Sequence, residues 1–192
     1  MRGTLVWLPL SDSNSTARER FDAEAMPHLG DLHRTALRLL GDAARAEDVV
    51  QEAYLQGWKS FHRFQPGTNC RAWMFQILFH CVNHYRRKWF RFAQLKEHEE
   101  HLQENLPAPP LMPERLTDSD ILAALDRVPV DYRSVVLLVD VEEFAYKEVA
   151  EILAIPIGTV MSRLSRGRKM LREQLADVAR SYGLRAEKGQ AR

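Results

Sequence analysis

From Arg20 to about Arg91 apolar residues recur at helical spacing. Leu29, Leu32, Ala36, Leu39 and Leu40 predict one amphipathic helix, stopped by Gly41-Asp42. Ala46 to Phe61 predicts a second, with Val50, Ala53, Tyr54, Gly57 and Phe61 turned inward and Asp48, Gln51, Glu52, Leu55 and Lys59 on the other side. Gln65-Pro66-Gly67-Thr68-Asn69 reads as a loop by its turn residues. A third, longer helix runs from Arg71 to about Arg91. Trp73, Met74, Ile77, Cys81 and Tyr85 form its expected core stripe, and Gln76, Phe79, Asn83, Arg86 and Arg87 its other side, with Phe75 at the margin.

The pattern then lapses into a segment of charge and proline, with Pro107, Pro109, Pro110 and Pro113 close together, which reads as an extended linker. Helical spacing resumes at Thr117 with Ile121, Leu122, Leu125 and Val128, then from Tyr132 to Asp140. Between Tyr146 and Arg172 lie two helices around a tight turn. Val149, Ile152 and Leu153 line the first helix, Ala154-Ile155-Pro156 breaks it, and Val160, Leu164, Leu171 and Leu175 line the second. Opposite that last stripe stand Ser162, Ser165, Arg166 and Lys169, flanked by Arg163 and Arg168. One face that packs down and one polar, basic face is how a DNA-reading helix-turn-helix is built. A helical hairpin with a merely solvated basic face is the plainer alternative.

No stretch alternates long enough for a sheet, so the expected fold is all-α. It comprises a flexible leader (1–19), a first helical domain (20–91), a flexible acidic, proline-containing linker (92–116), a second helical domain with the helix-turn-helix (117–182) and a tail (183–192).

Charge sharpens this picture. The net charge is only +1, but it is segregated. Arg71 to Arg91 holds five basic residues (Arg71, Arg86, Arg87, Lys88, Arg91) and no acid, whereas Lys96 to Asp120 holds seven acids against two bases. Basic blocks favour polyanions. Aromatic rings among arginines and amides on the third helix suit single-stranded nucleic acid, where stacking on a ring is worth about 1–3 kcal/mol per base. The loop before that helix, with its amides and Asn69, offers polar groups that suit an extruded base.

Other chemistries find less support. Two cysteines, Cys70 and Cys81, exclude a disulfide scaffold and a four-cysteine metal site. His80 and His84 have a ligating spacing but no third ligand nearby, so no metal or other cofactor is expected. No preorganised acid–base pair or nucleophile stands out, and no catalytic residue is assigned. No apolar run has the length of a membrane span, and Thr4 to Leu10 lacks the features of a secretory signal. A cytoplasmic protein without membrane insertion is expected.

Taken in order, these segments resemble a bacterial RNA polymerase sigma factor of the extracytoplasmic-function (ECF) type, from about Arg20 to Tyr182. DAARAEDVVQEAYLQGWKSFHRF is similar to the family's polymerase-docking helix, GTNCRAWMFQIL with NHYRRK to its −10 reading segment, and IPIGTVMSRLSRGR to its −35 reading helix. The resemblance implies a non-enzymatic protein that binds core RNA polymerase (clamp helices and flap) and promoter DNA. It implies that Asp48, Gln51, Glu52 and Leu55 meet polymerase. Thr68, Asn69, Arg71, Gln76, Phe79, Asn83, Arg86 and Arg87 would engage the −10 element. Thr159, Ser162, Arg163, Ser165, Arg166, Arg168 and Lys169 would engage the −35 element. An anti-sigma factor is a further implied partner, and Cys70 beside the loop is a candidate redox switch. Met161 and Ser165 depart from the family's usual residues on the reading face, and Ala154 stands where the turn commonly has glycine. Two other readings compete: a stand-alone helix-turn-helix regulator acting as a dimer, and a decoy that titrates an anti-sigma factor.

Overall fold

The computed structural model describes residues 12–96 and 118–181, and every regular element among them is helical. Helices α1 (Asp12–Ala25), α2 (Leu29–Leu40), α3 (Ala43–Ser60) and α4 (Cys70–Lys96) form the N-terminal unit. Helices α5 (Asp118–Asp126), α6 (Val130–Val136), α7 (Tyr146–Leu153) and α8 (Ile157–Ser181) form the C-terminal unit. The expected all-α fold with two helical domains is observed. The four closely spaced prolines and most of the acidic run lie outside the described residues.

Short-range chemistry sets the helix ends. Gly41, at φ +68°, closes α2 by donating its amide to the Leu37 carbonyl at 2.8 Å. The Asp42 carboxylate accepts the Arg45 amide at 2.9 Å and starts α3 three residues before the position expected from apolar spacing. Asn69 caps α4 in the same way, accepting the Ala72 amide at 3.0 Å. The core between these helices is made by Leu32, Ala36 and Leu39 from α2, Val49, Val50 and Ala53 from α3, and Met74, Leu78 and Val82 from α4. At Gly57 a Cβ would stand 3.0 Å from the Met74 sulfur, so the absence of a side chain sets how closely α3 approaches α4.

Two expectations are corrected. The leader expected over 1–19 is already helical from Asp12. Among the α1 side chains described, only Phe21 and Ala25 are buried, too few positions to register as a periodic stripe. Phe21 nonetheless meets Trp58 and Phe61 edge-on, with ring centroids 5.5 and 5.2 Å away. Leu29, placed on the core face of α2, is exposed in its first turn.

Ala154, between α7 and α8, has φ 52° and ψ 46°, the left-handed conformation expected if the turn needs glycine. A Cβ there costs about 1 kcal/mol. Ala154→Gly is therefore expected to raise stability by about that amount. An unchanged or lower urea midpoint would show that the turn carries no such strain.

The two units pack against each other through one buried cluster. After α6 the chain widens into a π-type turn over Leu137–Val141, with the Glu142 amide donating to the Leu137 carbonyl and the Phe144 amide to the Leu138 carbonyl, both at 2.9 Å. This turn projects Glu142 and Phe144 toward α2 and α4. Phe144 meets Phe75 edge-on at 5.0 Å, and the Arg71 guanidinium lies 4.5 Å from the Phe144 ring centroid and 5.2 Å from that of Phe75. Arg71 donates to Asp31 Oδ2 at 3.1 Å, to the Glu142 carbonyl at 2.8 Å and to the Glu142 carboxylate. The Thr35 hydroxyl donates to the other Glu142 oxygen at 2.9 Å. Nearby, Arg133 donates to the carbonyls of Arg38 at 2.7 Å and Val128 at 3.1 Å, tying α6 to α2.

Candidate nucleic-acid interface

The helix α8 begins where the Pro156 carbonyl accepts the amides of Thr159 and Val160 at 2.8 and 3.1 Å. Its inner face is fixed by buried Val160 and Leu164 and by Gly167. A Cβ on Gly167 would stand 2.8 Å from Val136 Cγ2 and 3.2 Å from the Tyr132 carbonyl oxygen, so glycine lets α8 lie directly on α6. The opposite face carries Ser162, Ser165, Arg166 and Lys169, all exposed, with Thr159 and Arg163 half-buried beside it.

The basic side chains of this face are not equivalent. Arg168 forms a two-pronged bond with Asp140, one arm at 3.0 Å, and that bond raises its pKa above the ordinary arginine value. Arg163 pairs with Asp131 at 3.6 Å and Lys169 with Glu173 at 3.9 Å. No ion pair among the described residues engages Arg166. Arg168 thus links α8 to the π-type turn, whereas Arg166 is exposed.

On α4, Gln76, Asn83 and Arg87 are exposed and Arg86 is half-buried. Phe79 is not on that face: it is 3% exposed and belongs to the core, as does Phe75. The reason is the width of the buried arc. Contacts with α1, α2 and α3 on one side and α7 on the other bury Met74, Phe75, Leu78, Phe79, Cys81 and Val82, more than a single stripe. The aromatic ring that does border the Thr68–Asn69 loop is Trp73, assigned from sequence to the core. It is half-buried, stacks obliquely on Phe64 at 5.1 Å, and lines a hollow of about 400 Å³ with Thr68, Asn69 and Gln76. Its place one turn after the Asn69 cap was the available signal.

The far wall of that hollow is α7. Asn69 Nδ2 donates to Glu148 at 2.7 Å, while the other Glu148 oxygen accepts the Ala145 amide at 3.0 Å. Gln76 donates to the Glu151 carbonyl at 3.3 Å. Thr68 turns its hydroxyl back to the Gln65 carbonyl at 2.7 Å. The structure thus brings Thr68, Asn69 and Gln76 together, occupies two of them with the helix-turn-helix, and sets Arg71 apart in the interunit cluster.

On α3, Asp48, Gln51, Glu52 and Leu55 all face solvent, Leu55 being 53% exposed. Beside them a second hollow of about 420 Å³ runs to α4, lined among others by Glu52, His80, His84 and Lys88. Among the described residues, no three His, Cys, Asp or Glu side chains are grouped to hold a metal.

Cys70 and Cys81 are buried, and burial, the largest cause, pushes both thiols up to about 11. Only about one thiol in a thousand is ionised at pH 8, so native protein is expected to resist a disulfide reagent that labels it rapidly once unfolded. Fast native labelling of Cys70 would restore the redox-switch reading. Because the folded thiols hold their protons longer than the unfolded ones, their contribution to stability is complete below about pH 9 and is lost toward pH 11.

Residues 25–91 match the family described as Sigma-70 region 2, and residues 118–171 match Sigma-70, region 4. The chain is 32% identical over 177 residues to the ECF RNA polymerase sigma factor EcfG of Rhodopseudomonas palustris, covering 92% of this chain and 93% of the relative. It belongs to the ECF RNA polymerase sigma factors. A further relative, the ECF RNA polymerase sigma factor SigE of Mycolicibacterium smegmatis, is 32% identical over 179 residues, 91% of this chain and 68% of that one. Among solved structures, the sigma factor RpoE of Bartonella quintana, crystallised with the anti-sigma factor NepR, superposes with a TM-score of 0.71 at 30% identity, covering 82% of this chain and 98% of RpoE. In this sigma factor the region 2 match contains the α3 face and the Asn69–Gln76 hollow, and the region 4 match contains the π-type turn, α7 and the exposed polar face of α8 through Lys169. No helix among the described residues is long and apolar enough to cross a membrane.

Proposed function

We propose that this sigma factor docks on core RNA polymerase through the α3 face and directs it to promoters by reading −35 duplex with α8 and holding melted −10 strand against α4. The observation that carries this reading is the exposed row Ser162, Ser165, Arg166 and Lys169 directly behind a buried Val160–Leu164 seam. A helix so mounted enters a major groove, where arginine pairs with guanine O6 and N7 and short hydroxyls with either base.

Asp48, Gln51, Glu52 and Leu55 supply an acidic and apolar surface for the polymerase clamp helices, and α8 and its neighbours meet the flap. Thr68, Asn69 and Trp73 around their hollow receive an extruded base, with Gln76, Asn83, Arg86 and Arg87 along the adjoining strand. Arg71 joins this set only when the interunit cluster opens. An anti-sigma factor is a second partner; the likeness to RpoE, which was crystallised with NepR, supports it. The protein acts in the cytoplasm, where polymerase and chromosome are, and performs no catalysis of its own.

Transcription in vitro with core polymerase on a genomic fragment library, read by sequencing transcript starts, tests this proposal. Starts that depend on the protein and share paired motifs near −35 and −10 are the expected result. Binding to core without specific starts would favour a decoy, and promoter binding as a dimer without core would favour a stand-alone regulator.

A further inference from the structure

The reading face of α8 holds a feature that hydrogen bonding does not use. Its first turns carry two exposed apolar side chains, Ile157 at 49% and Met161 at 54%. They are four residues apart and so share one stripe, which Ser165 continues. Between them Gly158 is exposed, and a Cβ there would find nothing within 4 Å, so the backbone is free to come close to a ligand. Next to Met161 lies a shallow hollow of about 370 Å³, lined by Tyr146, Leu164, Ser165, Arg168 and Arg172. Large apolar side chains are out of place on a face that only contacts phosphates. They have one partner in the major groove of DNA, the C5 methyl of thymine. The N-terminal turns of a reading helix are also the part that reaches base edges.

We propose that Met161 is a specificity residue, reading a thymine C5 methyl in the −35 element by apolar contact, with Ile157 flanking it on the same stripe. The cationic surroundings favour nucleic acid over an apolar protein surface: Arg168 and Arg172 line the hollow beside Met161, and Lys169 is exposed two turns further along the helix. This inference rests on the proposed −35 reading by α8. Serines and an arginine at neighbouring positions supply hydrogen bonds, and the methionine distinguishes thymine from cytosine and uracil.

The test replaces thymines of the −35 element, one at a time on either strand, by deoxyuridine, which deletes the methyl and keeps every hydrogen-bonding group. Transcription by core polymerase with the wild-type protein is expected to fall about fourfold at one or two of these positions, the worth of one buried methyl. The same substitutions are expected to have no effect with Met161→Gln, a swap of similar length and helix propensity at an exposed site. Undiminished transcription from every deoxyuridine template would overturn the inference, as would an unchanged deoxyuridine penalty with Met161→Gln. A Met161→Gln protein that keeps the penalty but loses an anti-sigma factor would make the position a protein contact. Failure of the wild-type protein to initiate specifically on the unmodified templates would instead strike the proposed function itself.

Discussion

Replacing Glu142 by alanine is expected to loosen the packing of the two helical units, at a cost of about 3 kcal/mol. The Glu142 side chain is 5% exposed and is the common acceptor for Arg71 and for the Thr35 hydroxyl. Its loss leaves a buried hydroxyl without its acceptor, a penalty of about 1–3 kcal/mol, and leaves Arg71 with the half-exposed Asp31 as its remaining carboxylate. Phe144 keeps its contact with Phe75 and Arg133 its bond to the Arg38 carbonyl, so the seam loosens at the Arg71 end first. Small-angle scattering should report a larger radius of gyration, and urea denaturation a lower midpoint. Glu142→Gln should do less, because its amide oxygen still accepts from Thr35. The same opening frees Asn69 from Glu148 and Gln76 from the Glu151 carbonyl. Binding of a single-stranded −10 oligonucleotide by the free protein should therefore rise. If Glu142→Ala leaves the scattering profile and the midpoint unchanged, the cluster is not what holds the units together.

That cluster was beyond the reach of the sequence, and the reason is instructive. Thr35, Arg71 and Glu142 are far apart along the chain, and none breaks a local rule where it stands: Arg71 opens a basic helix, and Glu142 follows an apolar run. Only the π-type turn after α6 brings them together, and no residue in Leu137–Val141 advertises a widened turn. What was legible rests on one-sided burial. The α3 and α8 faces were readable because the buried side of each is one contiguous stripe, so spacing separates in from out, and Pro156 marked the turn at Ala154. Helix α4 defeated the same method. It is covered from two sides, the buried arc takes in both Phe75 and Phe79, and the ring left beside the loop is Trp73. Helix α1 failed for the opposite reason, since a helix anchored mainly by Phe21 and Ala25 carries almost no period.

On the proposed reading of −35 duplex by α8, the geometry of that helix singles out one arginine. Arg166→Ala is expected to lower −35-dependent initiation by about one to two orders of magnitude, equivalent to about 1–3 kcal/mol for one arginine–guanine pair, and to relax preference at a single base. Its folding stability should hardly change, because the side chain is exposed and engaged in no ion pair among the described residues. Arg168→Ala should behave differently. Its guanidinium is already committed to Asp140, so removing it loosens the seat of α8 on the π-type turn. The result should be a lower midpoint and weakened initiation at all promoters alike, with base preference retained. The urea midpoint separates the two, since Arg168→Ala removes the bond to Asp140 and Arg166→Ala removes no ion pair among the described residues. Wild-type initiation by Arg166→Ala at promoters defined with the wild-type protein would remove that residue from the reading face and leave Ser162, Ser165 and Lys169 to carry it.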